Sequence, residues 1–174
     1  MTTKGRICAP AAFASVAASA LLATALAGPA AADGGSSVRW KTIVGIEQAA
    51  NVVGGIGGGG QPWTTLGGEA RVDLASGNLE FEVRGLVLAG GNTIGTPDGI
   101  AQVKGTLVCD AGAADQAVVD TPLVTLSAQG DAEFEGNVGP IPAACTPSNT
   151  AFLVRIGAGR WIANGAVRTS RGSD

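Results

Sequence analysis

Residues 69–85, EARVDLASGNLEFEVRG, alternate polar and apolar side chains without a break on either side of Ser76-Gly77-Asn78. Ala70, Val72 and Leu74 interleave with Glu69, Arg71 and Asp73, and Leu79, Phe81 and Val83 interleave with Glu80, Glu82 and Arg84. A period of two places successive side chains on opposite faces of a strand, so each run has one dry face and one wet face. The expectation is a hairpin turning at Ser76–Gly77, with Leu74 opposite Leu79 and Val72 opposite Phe81. That register sets Arg71 against Glu82 and Glu69 against Arg84, both favourable pairs, and leaves Asp73 against Glu80 as the unfavourable one.

Turn residues recur through the rest of the chain at roughly eight to twelve positions, the spacing of an all-β sandwich or barrel. Further strands are expected over 38–49, with a break or bulge at Gly45, and over 85–90, continuing the 79–84 strand. Others fall in 99–110, in a hairpin over 121–138 turning at Gln129–Asp131, and in a last hairpin of 151–157 and 160–168 through Ala158-Gly159. Segment 110–117 is the one candidate for a helical turn and reads better as a loop. The fold expected is an antiparallel β-sandwich, immunoglobulin-like or similar, of about eight strands. LASGNLEFEVRG and LSAQGDAEFEG echo each other, each running Leu, turn, Glu-Phe-Glu; the echo reads as a shared hairpin pattern and not as a repeat.

The N-terminus has the layout of a secretory signal: Lys4 and Arg6, a charge-free apolar run from Ile7 to Ala27, then small residues in AGPAAAD. Cleavage is expected between Ala32 and Asp33, with Ala27/Gly28 second; an uncleaved anchor is the alternative, since the run is just long enough to span a bilayer. Residues 33–174 then form one domain, with a glycine-rich linker at 54–68 and a flexible tail at 169–174. The expected location is secreted or periplasmic, with no membrane attachment after cleavage. Loss of Lys4 and Arg6 leaves nine basic residues against fourteen acidic ones. The basic residues are scattered, which argues against a nucleic-acid partner, because phosphate binding needs concentrated positive charge. Removing the signal also leaves two cysteines, Cys109 and Cys145, and such a pair in an exported chain becomes a disulfide, free thiols being the cytosolic alternative.

Gly55, Gly57 and Gly60 fall on the G-x-G-x-x-G spacing of a dinucleotide loop. The loop needs a helix after it, to aim its N-terminus at the phosphates. Pro62 and the pair Gly67-Gly68 deny one, so the segment reads as a linker or lid. Histidine and tyrosine are absent, which excludes Ser-His-Asp and Cys-His nucleophile systems and histidine metal sites. Neither Lys41 nor Lys104 stands in an S-x-x-K motif.

Two pairs, Glu80/Glu82 and Glu133/Glu135, each share a strand face and could in principle serve carboxylate-only hydrolysis, but they look like a solvated charged face. Calcium is the remaining cofactor to consider, with Asn92, Thr93 and Asp98 in one loop and Asp110 and Asp115 in another. Trp40 and Trp161 sit within strand patterns and read as core. Trp63 either packs or is exposed to a partner. Trp63, Asn92 and Asp98 are the candidate contacts, in loops 53–68 and 89–99, for a protein or surface-polymer partner.

The set QPW (61–63), LEFEVRGLVL (79–88), VKGTLVCD (103–110), PLVTLSAQGDAE (122–133), PAACTPSNTAFLVR (142–155) and GRWIANG (159–165) resembles a recurring group of small exported bacterial β-domain proteins of uncharacterised activity. The resemblance implies an exported β-domain and the Cys109–Cys145 pair. It assigns no functional residue. The expected function is a non-enzymatic binding or structural module, with a carboxylate-dependent hydrolase and a subunit of a cell-surface assembly as alternatives.

Overall fold

A computed structural model describes residues 36–110, 117–157 and 159–170, all within the unit Asp33–Asp174. The expected signal (1–32), Asp115 and the end of the expected tail (171–174) lie outside the described residues. The described chain is all-β, with thirteen strands and no helix: β1 (Ser37–Gly45), β2 (Val52–Val53), β3 (Ile56–Gly57), β4 (Trp63–Thr64), β5 (Gly67–Asp73), β6 (Asn78–Arg84), β7 (Val87–Leu88), β8 (Gln102–Cys109), β9 (Ala117–Asp120), β10 (Val124–Thr125), β11 (Ala132–Asn137), β12 (Thr150–Ile156) and β13 (Trp161–Ser170). Nine of them form one antiparallel sheet in the order β10-β8-β12-β13-β1-β5-β6-β11, with β9 also paired to β8. β2–β3 and β4–β7 are separate two-stranded ladders.

The sheet curls over its own apolar face. Phe81 on β6 lies 5.5 Å from Phe152 on β12, and Trp40 on β1 lies 5.7 Å from Phe152, centroid to centroid. Three strands stand between β6 and β12 in the sheet order, so these rings meet across the interior. The two facing layers expected of a sandwich are therefore parts of one rolled sheet. Its ends, β10 and β11, follow each other in the chain, joined by the turn in which Ser127 N donates to Asp131 O and Gly130 N donates to Ser127 O. The interior is filled by Val38, Trp40, Val72, Phe81, Leu107 and Phe152, among others, all essentially buried.

The 69–85 hairpin forms with the expected faces and a different register. Val72 pairs with Leu79 and Ala70 with Phe81, two residues away from the expected pairing. The cause lies in the turn. Asp73 Oδ1 accepts from Ala75 N at 2.9 Å and Ser76 N at 3.2 Å, and Gly77 N donates to Asp73 O at 2.9 Å. This Asx closure draws Leu74 into the loop. A slip of two keeps every side chain on its face, so the alternation is satisfied equally well. The charge pairs change: Arg71 now faces Glu80, and Glu69 faces Glu82. Arg39 of β1 pairs with Glu69 instead, and Arg84 reaches Glu82 on its own strand.

Other expectations are corrected by long-range pairing. Residues 85–90 do not continue β6: Gly85 takes a left-handed φ of 61°, and β7 pairs with β4 outside the main sheet. Residues 121–138 do not form a hairpin, since β10 pairs with β8 and β11 with β6. The 54–68 segment is not a free linker. It carries β3, β4 and the start of β5, and Gly59 N donates to Trp161 O while Trp63 N donates to Ile46 O. The break expected at Gly45 is where β1 ends, and residues 46–49 of the expected strand are not strand; a Cβ at position 45 would collide with the Trp63 carbonyl. Segment 110–117 lies partly outside the described residues, and β9 begins at its end. The tail is strand as far as Ser170: Thr169 pairs with Arg39 and Ser170 with Val38. The β12–β13 hairpin forms as read, with a register shift between Val154 and Arg155.

Candidate functional site

Loops 53–68 and 89–99 are brought side by side by the β4–β7 ladder, in which Trp63 pairs with Leu88 and Thr64 with Val87. Ala89 N donates to Pro62 O at 2.9 Å, extending the contact past the ladder. The second loop closes on itself, with Leu88 N donating to Thr96 O and Gly95 N donating to Leu88 O. Thr93 Oγ1 donates to Asp98 Oδ1 at 2.9 Å, and Asp98 N donates to Thr96 Oγ1 at 3.2 Å. Asp98 is held at a φ of 51°, unusual for a residue with a side chain. Between the loops is a shallow cavity of about 580 Å³, bordered by Gln61 and Pro62 on one side and Asn92, Thr93 and Asp98 on the other. Glycines 60, 90 and 91 complete the rim and leave it low.

Asn92 and Asp98 border one cavity and are both exposed. Trp63 is not there. It is 5 % exposed and belongs to the core, so it is corrected from a candidate contact to a packing residue. The glycines around it explain the burial: without a side chain at Gly45 or Gly59, β4 settles onto the end of the sheet. The cavity lining offers amides, a hydroxyl and one carboxylate, with no cation and no activated nucleophile. Such a surface can hold a polar ligand by hydrogen bonds.

The carboxylates form a second feature. Glu80 stands directly opposite Glu135, and Glu82 opposite Glu133, across the β6–β11 ladder. With Glu69 they cover the exposed outer face of three adjacent strands, around a surface depression of about 540 Å³. All lie on one side of one sheet. Carboxylate-only hydrolysis needs an acid and a base on either side of the scissile bond, whereas these side chains share one face. Among the described residues no group of three or more cysteine, aspartate or glutamate side chains is placed to hold a metal ion. Asp110 and the 92–98 loop contribute no such group.

An ion cluster that no sequence pattern announced lies on β8, β9 and β12. Asp120 accepts from Lys104 Nζ at 2.5 Å, from Thr106 Oγ1 at 2.6 Å and from Arg155 at 3.3 Å. Partial burial works to raise the carboxyl pKa, but the hydrogen bonds from Lys104 and Thr106 and the two positive charges outweigh it and hold it below the usual carboxylate value. With two cations sharing one carboxylate, the cluster ties β9 to β8 and β12. At the far end of β8, Cys109 is bonded to Cys145 with a Cα–Cα distance of 4.7 Å, anchoring loop 138–149.

Comparison with known proteins gives no matching family model, no matching curated protein and no matching solved structure.

Proposed function

We propose that this protein is an exported, non-enzymatic binding module that takes a polar partner, a protein or a surface polymer, at the cavity between loops 60–62 and 90–98. The observation that carries it is the clamping of two loops by the β4–β7 ladder and the Ala89–Pro62 bond, so that Gln61, Asn92, Thr93 and Asp98 converge on one rigid rim. Recognition on loops held by a rigid sheet is the common arrangement in β-domains. Export is supported by the three-part N-terminal segment and by the Cys109–Cys145 disulfide, which belongs to an oxidising compartment. The resemblance to small exported bacterial β-domain proteins points the same way. No helix among the described residues is long and apolar enough to cross a membrane.

The test is amide-resolved NMR of the exported protein titrated with soluble surface-polysaccharide fragments and with surface-protein extracts. Shifts confined to 60–62 and 90–98, and lost in Asn92→Ala and Asp98→Ala, support the cavity. Polymer cleavage abolished by Glu133→Gln would replace the binding module with the carboxylate hydrolase.

A further inference from the structure

We propose that the outer edge of β11 is a docking edge for an extended strand of another polypeptide in which cationic and apolar residues alternate. This goes beyond the loop cavity and rests on different residues. β11 is the last strand of the sheet. On one side Ala132–Asn137 pair with β6; on the other, among the described residues, no strand is paired. No turn or loop backbone hydrogen bond among those residues reaches 132–137 either. The outward N–H and C=O groups form a row to which a further strand can add, the usual chemistry of strand addition. Just beyond β11 the chain turns to the β6 side. Val138 N donates to Gly77 O, and the Gly139 carbonyl packs against Gly77, on the β6 side. At its start the edge is approached by β10, whose Val124 and Thr125 border, with Ala132 and Glu133, a surface depression of about 370 Å³.

The two faces of the edge specify the occupant. On the outer face, Glu133 and Glu135 are exposed, with Glu82 and Glu80 opposite them. The nearby arginines are committed elsewhere, Arg39 to Glu69 and Arg84 to Glu82, and Arg71 lies opposite Glu80. Neither Glu133 nor Glu135 forms an ion pair among the described residues. Like charges directly opposite one another destabilise a ladder, and a strand presenting lysine or arginine at those rungs relieves them. On the inner face, Phe134 stacks on Phe81 at 6.2 Å and stays half-buried. An apolar residue between the cationic ones would cover it. A second copy of this chain does not fit, since pairing β11 with β11 would set glutamate against glutamate.

The test uses the whole exported chain and a capped synthetic peptide alternating lysine with valine or threonine. Three controls accompany it: an isomer with its lysines blocked together, and two versions N-methylated at one or the other set of alternate amides. The expected result is amide shifts along Ala132–Asn137 and binding that weakens roughly tenfold in the Glu133→Lys/Glu135→Lys double variant. Glu69→Lys, two strands from the edge, changes it little. One of the two N-methylated peptides, the one whose blocked amides face β11, loses binding. Equal binding of the alternating and blocked isomers, indifference to both N-methylation patterns, no binding, or self-association through β11 would each overturn the proposal.

Discussion

Gly105 of β8 lies beneath the ring of Phe81 of β6. A Cβ built at position 105 falls 2.8 Å from Phe81 Cδ1 and 3.0 Å from Phe152 Cε2. The approach of Phe81 to β8 therefore depends on a missing side chain. Gly105→Ala overpacks this contact and is expected to cost about 1–3 kcal/mol in urea unfolding. An unchanged midpoint would mean that the rings do not meet across the interior.

The three tryptophans, Trp40, Trp63 and Trp161, are 2, 5 and 3 % exposed. Native fluorescence is expected to be blue-shifted and resistant to iodide quenching, and to turn red on unfolding. Trp63→Ala is expected to cost about 3–5 kcal/mol, the loss for a large aromatic removed from a core. A quenchable native signal that disappears in that variant, with stability retained, would return Trp63 to the surface.

Acid should weaken the fold in a defined window. The carboxyl of Asp120 is held below its usual value by Lys104, Thr106 and Arg155, against the effect of burial. That of Asp73 is held down by the Ala75 and Ser76 amides. A depressed folded-state pKa contributes stability that is present above the unfolded value, about 4, and lost as pH falls through the folded one. The urea midpoint is expected to be flat near neutrality and to drop below about pH 4. Asp120→Asn is expected to lower stability at pH 7 by about 1 kcal/mol, after allowance for solvent screening, and to reduce the acid slope. A variant that keeps the full slope would show that Asp120 is not its source.

Val167 sits in β13 at a φ of 51°, opposite to the preference of a β-branched residue, and is 64 % exposed. Asn tolerates this conformation, so Val167→Asn is expected to stabilise by about 0.5–1 kcal/mol, measured by thermal unfolding. Destabilisation would mean that the valine side chain contributes packing there.

Reduction of Cys109–Cys145 opens a loop of sequence separation 36. In the chain-entropy model this costs about 3–4 kcal/mol. The denaturant midpoint with and without reductant measures it. Equal midpoints would indicate that the 138–149 loop is held by its other contacts.

The faces of β5 and β6 were legible in the sequence. Leu79, Phe81 and Val83 are buried, and Glu80, Glu82 and Arg84 are exposed, as their alternation requires. The register was not, because a shift of two residues leaves the alternation intact and Asp73's turn bonds made the choice. Trp63 could not be placed from its flanking residues, because what buries it is the close approach permitted by Gly45, on another strand. The Glu-Phe-Glu echo was visible as a pattern. That its two copies pair, Phe81 opposite Phe134, was not, because nothing local to either segment names the other as neighbour.

By itself the sequence determined a β-fold, the wet and dry faces of β5 and β6, and the cysteine pair. These follow from side-chain periodicity and residue type, which act within a few residues along the chain. Only the tertiary structure decided that two expected layers are one rolled sheet, that five glutamates share a single face, that loops 60–62 and 90–98 meet, and that β11 is left as an edge. Each of these depends on which distant segments come into contact. That choice is made by the packing of the whole interior and by glycines whose missing side chains let particular strands approach.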